Sequence, residues 1–143
     1  MIHWAVLAGL LLAAQEALAC GYCVEDKVAM VYDHSVIVRA LNKRHEVVFL
    51  AIEGSLAVST RLQRELERSI ESTPGVDRRS ARVSLTGASL SFAYDPGRAP
   101  LGSILRSLDK NLGAKQIRTT LLRIVSENPG GPVTKAAPGR AGS

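Results

Sequence analysis

The sequence predicts an α+β fold in which two helices cover one face of a four-stranded antiparallel sheet, with an extra helix in front. Three observations carry that reading. Residues 46–52, EVVFLAI, form a short apolar run rich in β-branched side chains. Residues 62–70 and 101–112 repeat their apolar side chains at helical spacing. Residues 81–94 alternate apolar with small or charged residues on both sides of Thr86-Gly87.

EVVFLAI ends at Glu53-Gly54 and reads as a strand buried on both faces, with Val48, Leu50 and Ile52 toward one side and Val47, Phe49 and Ala51 toward the other. Thr60 with Gln63 forms a capping-box pattern. Leu62, Leu66 and Ile70 then line one helical stripe, with Arg61, Arg64, Glu65, Glu67 and Arg68 elsewhere on the wheel, until Pro74-Gly75 stops the helix. Ala81, Val83 and Leu85, then Leu90, Phe92 and Tyr94, give the two strands of a hairpin that Asp95-Pro96-Gly97 breaks. Leu101, Ile104, Leu105, Leu108 and Leu112 share a stripe closed by Gly113, and KQIRTTLLRIV (115–125) is the last strand. The order β-α-β-β-α-β is the split βαβ arrangement called ferredoxin-like, a sandwich of helices on a sheet.

Upstream, residues 4–14, WAVLAGLLLAA, are apolar without interruption, about the length of a signal-peptide core and too short to span a bilayer. Ala17-Leu18-Ala19 offers the small residues a signal peptidase reads, so residues 1–19 are expected to be a signal peptide, cut before Cys20. The protein is then exported, periplasmic or secreted, although Met1-Ile2-His3-Trp4 brings no Lys or Arg to the usual positive region. A lipoprotein signal also ends before a cysteine, but the Leu it carries three residues earlier is Ala17 here. No later segment is long and apolar enough to cross a membrane.

Removal of the leader leaves ~124 residues, enough for one domain, and a remainder slightly more basic than the net +5 of the whole chain. Arg39, Lys43, Arg44, Arg61, Arg64, Arg68, Arg78, Arg79 and Arg82 are scattered along the sequence with few aromatic residues among them. A solvated basic surface is expected, and no nucleic-acid partner. Residues 126–143 are dominated by Gly, Pro, Ala and polar residues and read as a disordered tail.

The only two cysteines, Cys20 and Cys23, form a C-x-x-C, a spacing that lets two sulfurs converge on one ion. A helix over about 24–42 follows from Val24, Val28, Val31, Ser35 and Val38, with Glu25 and Asp26 in its first turn. Amides at its start would favour the Cys23 thiolate and those carboxylates would oppose it. A freed α-amine at Cys20 is a further donor. Along a straight helix Met30 lies about 10 Å and His34 about 16 Å from Cys23, so neither shares its ion unless the helix breaks. Met30 reads as core, His34 as an ordinary histidine and His45 as a loop residue. This helix is expected to cover the sheet face left open by the other two, beside the small residues Ser89, Ser91 and Ala93; a homodimer through that face is the competing account.

Glu53-Gly54, the L-x-x-x-L-E-x-x-I of Leu62, Leu66, Glu67 and Ile70, Thr73-Pro74-Gly75-Val76, Val83-Ser84-Leu85 and Phe92-Ala93-Tyr94-Asp95-Pro96 follow one another between Ile52 and Asp95. In these residues the chain resembles a heavy-metal-associated domain, the soft-metal-carrying module of copper chaperones, mercury-binding periplasmic proteins and metal-pumping ATPases. With the second helix and last strand, the resemblance extends over most of 46–125. It implies the ferredoxin-like fold and a metal ion as cargo, exchanged with a protein donor or acceptor. The family's motif G-M-T-C-x-x-C falls on Gly54 to Thr60 here, with Ala57 and Thr60 at the cysteine positions. Alanine cannot ligate, and a threonine hydroxyl is a poor ligand for Cu(I) or Hg(II); Thr60 reads as a helix cap.

The chain therefore divides into a signal peptide (1–19), a C-x-x-C segment with an N-terminal helix (20–45), a heavy-metal-associated-like domain (46–125) and a tail (126–143). Three functions compete. The first is an exported protein that stores or hands over a thiophilic ion, such as Cu(I), through Cys20 and Cys23. The second is a thiol-disulfide partner, and the third a non-metal binding module or lipoprotein. No Ser-His-Asp set, carboxylate pair or phosphate loop stands out, so no catalysis is expected.

Overall fold

The run at 46–52 forms a strand, β1 (Glu46–Glu53), and its interior residues Val47 through Ile52 are all buried. A strand of that kind requires cover on both faces, and the rest of the chain supplies it. The computed structural model describes residues 19–127, with side chains from Val24 onward. The expected signal peptide through residue 18, the thiols of Cys20 and Cys23, and the expected tail from residue 128 lie outside what is described.

Besides β1, the described residues form α1 (Ala19–Ala29), α2 (His34–Asn42), α3 (Thr60–Glu71), β2 (Arg82–Ser84), β3 (Ser89–Tyr94), α4 (Leu101–Gly113) and β4 (Arg118–Val125). The sheet order is β2-β3-β1-β4, and every neighbouring pair is antiparallel. This is the ferredoxin-like α+β fold that the element order implied. One core packs Val48, Leu50 and Ile52 against Leu66 and Ile70 of α3 and Ile104, Leu108 and Leu112 of α4. The opposite core packs Val47, Phe49 and Ala93 against Val28 and Val31 near α1 and Val36, Ile37 and Ala40 of α2. The two faces of β1 divide as strand alternation requires. The face for which a homodimer competed is covered by the chain's own N-terminal helices.

β4 makes one adjustment. Its register with β1 shifts between Phe49 and Leu50, so that Phe49 opposes Arg123 and Leu50 opposes Leu121, leaving Leu122 as the extra residue. Leu122 packs into the second core and Arg123 pairs with Glu25 on α1. The bulge thereby fastens the N-terminal helix to an edge strand.

The single helix expected over 24–42 is two helices. The first ends at Ala29, and Asp33 caps the second: its Oδ1 accepts from the amides of Ser35 (2.9 Å) and Val36 (3.2 Å). The break changes the buried stripe. Ser35 and Val38, in phase with Val24, Val28 and Val31 on an unbroken helix, are exposed, while Val36, Ile37 and Ala40 turn inward. Glu25 and Asp26 are not in a first turn, because the chain is already helical at Ala19, the first described residue. Met30 is not core; it is 53% exposed at the break. It passes the β2–β3 hairpin so closely that a Cβ on Gly87 would fall 2.8 Å from its side chain. Gly87 therefore gives room to the neighbouring helix, and the residue with positive φ in that turn is Ala88.

Candidate functional site

Positions 20 and 23 lie on α1, among the first described residues. Residues three apart on a helix are neighbours, about 5–6 Å between Cβ atoms. By the same spacing position 26, an aspartate, neighbours position 23, and the Glu25 carboxylate is engaged by Arg123. His34, the first residue of α2, is exposed, and the break at Met30 ends the straight path along which its distance from Cys23 was reckoned.

The segment where the family would keep its metal loop joins β1 to α3. Gly54 turns the chain at φ 141°, a conformation that disfavours a side chain, and a Cβ there would meet the Gln116 carbonyl at 2.9 Å. Leu56 packs on the first core, and Ala57, Val58 and Ser59 are exposed. Ser59, rather than Thr60, caps α3: its hydroxyl accepts from the Leu62 amide at 3.1 Å, and Thr60 is the first helical residue. Residues 54–60 contain no cysteine, histidine or methionine. Their donors do not suit a soft ion.

His45 is more than a loop residue. It is half-buried just before β1, with Nδ1 2.8 Å from Asp77 Oδ2 and Nε2 3.6 Å from Asp95 Oδ2. The imidazole clips the turn after α3 and the end of β3 to the start of β1. Asp95 also accepts from the Gly97 amide at 2.9 Å, the turn role its sequence context suggested. Beside it the Tyr94 hydroxyl donates to Glu46, and burial followed by that carboxylate pushes the phenol's pKa above its ordinary value. Among the described residues no group of three or more His, Cys, Asp or Glu side chains could hold a metal ion, this clip included.

Sequence reasoning missed a gathering of charge. Arg39 on α2, Arg78 and Arg79 in the turn before β2, and Arg82 on β2 line one groove of about 540 Å³. Arg39 stands 39 positions before Arg78, and nothing in local spacing announces that α2 crosses beside β3. Asp33, the cap of α2, ties that helix to β2: its Oδ2 accepts from Arg82 Nε at 2.9 Å and Nη2 at 2.7 Å. The Ser35 hydroxyl, the Val36 amide and Arg82 keep the Asp33 carboxyl well below its ordinary 3.8.

Asp33→Ala is expected to cost about 1–2 kcal/mol, the range of a lost N-cap. The native pKa is depressed, so this stability is present above the unfolded value and fades as pH falls through the folded one. Urea midpoints of the two proteins should differ at pH 7 and converge as pH drops below 3.8. A gap that stayed constant on acidification would contradict this role.

No family model matches the chain, and no curated protein matches it. Solved structures do. A copper-binding domain from HMA7, a P-type ATPase, is 14% identical over 55% of this chain and 96% of its own, with a TM-score of 0.44. The N-terminal domain of a potential copper-translocating P-type ATPase from Bacillus subtilis is 18% identical over 57% of this chain and 91% of its own, with a TM-score of 0.44. Oxidized MerP from Ralstonia metallidurans CH34 is 13% identical over 54% of this chain and 96% of its own, with a TM-score of 0.42. At those values no ligand is carried across.

Proposed function

We propose that the chain binds a thiophilic metal ion, with Cu(I) as the best fit, through the thiolates of Cys20 and Cys23, and serves in storage or hand-over outside the cytoplasm. The observation that carries the reading is the C-x-x-C at helical spacing on α1. Two thiolates one helical turn apart suit a soft ion of low coordination number. Cleavage before Cys20 would start the helix there, and its amide end would favour both thiolates. Of the opposing carboxylates, that of Glu25 is engaged by Arg123. The loop at 54–60 offers no competing soft donors. A protein donor or acceptor, and cleavage before Cys20, belong to the same proposal.

A thiol-disulfide function is the second reading, because cleavage before Cys20 would leave the C-x-x-C at a helix start, where a thiol is activated for exchange. Alkylation followed by intact mass separates the two. Reduced full-length chain should add two alkyl groups without metal and none after one equivalent of Cu(I) under anaerobic conditions. Full labelling in the presence of Cu(I) removes the metal reading. The mass of protein isolated from its own cells supports exchange if it is two hydrogens light, and a lipid increment at Cys20 excludes both.

A further inference from the structure

We infer that the groove of Arg39, Arg78, Arg79 and Arg82 binds phosphate groups. Four guanidinium-bearing residues from three segments line it, and one carboxylate, that of Asp33, pairs with one of them. Among the described residues the guanidinium groups of Arg78 and Arg79 have no hydrogen-bond or ion-pair partner. Arg39 makes a single long bond to the Ser35 hydroxyl, 3.4 Å. An adjoining hollow shares Arg39 and Arg78 and adds Lys43. Asp77 borders that hollow, but its Oδ2 is engaged by His45.

The turn that carries Arg78 and Arg79 is held in place. The Asp77 amide donates to the Ala93 carbonyl at 2.8 Å, the Ser80 hydroxyl donates to the Asp77 carbonyl at 2.6 Å, and the Ala93 amide donates to Ser80 Oγ at 3.1 Å. Arg79 itself is kept at φ 60°, a conformation uncommon for residues with a side chain. Arg82 is fixed by Asp33 on one side and by the Ala81 carbonyl, 2.7 Å, on the other. Like charges are thus assembled on rigid supports, where mutual repulsion opposes assembly until an anion enters. Planar guanidinium forks pair with phosphate oxygens two at a time. No aromatic side chain lines the groove, so it offers no platform for a nucleobase. Its ligand is a phosphate-bearing polyanion, either a free phosphorylated small molecule or the headgroup of an anionic lipid.

The test uses the full chain and is independent of the cysteines. Pyrophosphate titrated calorimetrically represents the free ligand, and vesicles of phosphatidylglycerol against phosphatidylcholine represent the headgroup. At least one of the two should bind, with affinity falling as salt rises, and R78A/R79A should weaken it tenfold or more. R78K/R79K, which keeps charge but removes the forks, should be intermediate. Binding of pyrophosphate identifies a free ligand; binding of phosphatidylglycerol vesicles alone identifies the headgroup. Absence of both overturns the proposal, as does equal weakening by R61A/R64A on the opposite face, which would mean a general effect of charge. Arg78 and Arg79 are exposed and make no side-chain bonds within the described chain, so their replacement leaves the fold intact, checked by an unchanged unfolding midpoint.

Discussion

Phe49→Ala should destabilise the protein by about 3–5 kcal/mol, the cost of emptying a large aromatic site in a packed core. Phe49 is 1% exposed and is the largest side chain of the second core. Its neighbours come from two helices and the sheet: Val28 and Val31 at the end of α1, Val36 and Ile37 of α2, and Val47 and Ala93 of the strands. Each is held by its own backbone element, so the vacated volume cannot simply collapse. Against a total stability of about 5–15 kcal/mol for a typical domain, the loss is large. Urea unfolding should show a lower midpoint with an unchanged slope, since the folded surface is the same. A loss under about 1 kcal/mol, below the usual range for such substitutions, would mean that the N-terminal helices do not pack on the sheet.

That core is also the part of the fold least legible in the sequence. β1, the hairpin, α3 and α4 each announce themselves within ten or so residues, because strand alternation and helical spacing are local signals. The division of β1 into Val48-Leu50-Ile52 and Val47-Phe49-Ala51 is a direct consequence of its pleat. The N-terminal region deceived because Val24, Val28, Val31, Ser35 and Val38 stay in phase through the position where the helix stops. The informative residue was Asp33, two and three positions before the amides it accepts from. An Asp followed by Ser35 and a fresh apolar set (Val36, Ile37, Ala40) is an N-cap signal, and the continuous periodicity outweighed it. The same weighing gave Thr60 the cap that Ser59 supplies.

Of the candidate sites, the C-x-x-C is visible in sequence because its chemistry depends on spacing alone. The arginine groove is not, because Arg39 meets Arg78, Arg79 and Arg82 only through the packing of α2 beside β3. His45 is intermediate: its carboxylate partners, Asp77 and Asp95, stand in turns whose geometry their own residues suggest, but their convergence is tertiary.

The second large effect concerns the cysteines. With two thiolates as the protein ligands, removing either leaves a soft ion with one sulfur and no replacement from the loop at 54–60, whose donors are hard or absent. The loss should fall on binding alone, because serine differs from cysteine by one atom and neither substitution alters the described cores. Cys20→Ser and Cys23→Ser should therefore unfold at the same urea concentration as the parent chain. Anaerobic titration of the reduced protein with Cu(I), against a chelator that the parent chain outcompetes, is the decisive measurement. The parent chain should saturate at one ion, and each serine variant should surrender the ion to the chelator. Retention of Cu(I) by either variant would contradict the assignment of Cys20 and Cys23 as its ligands.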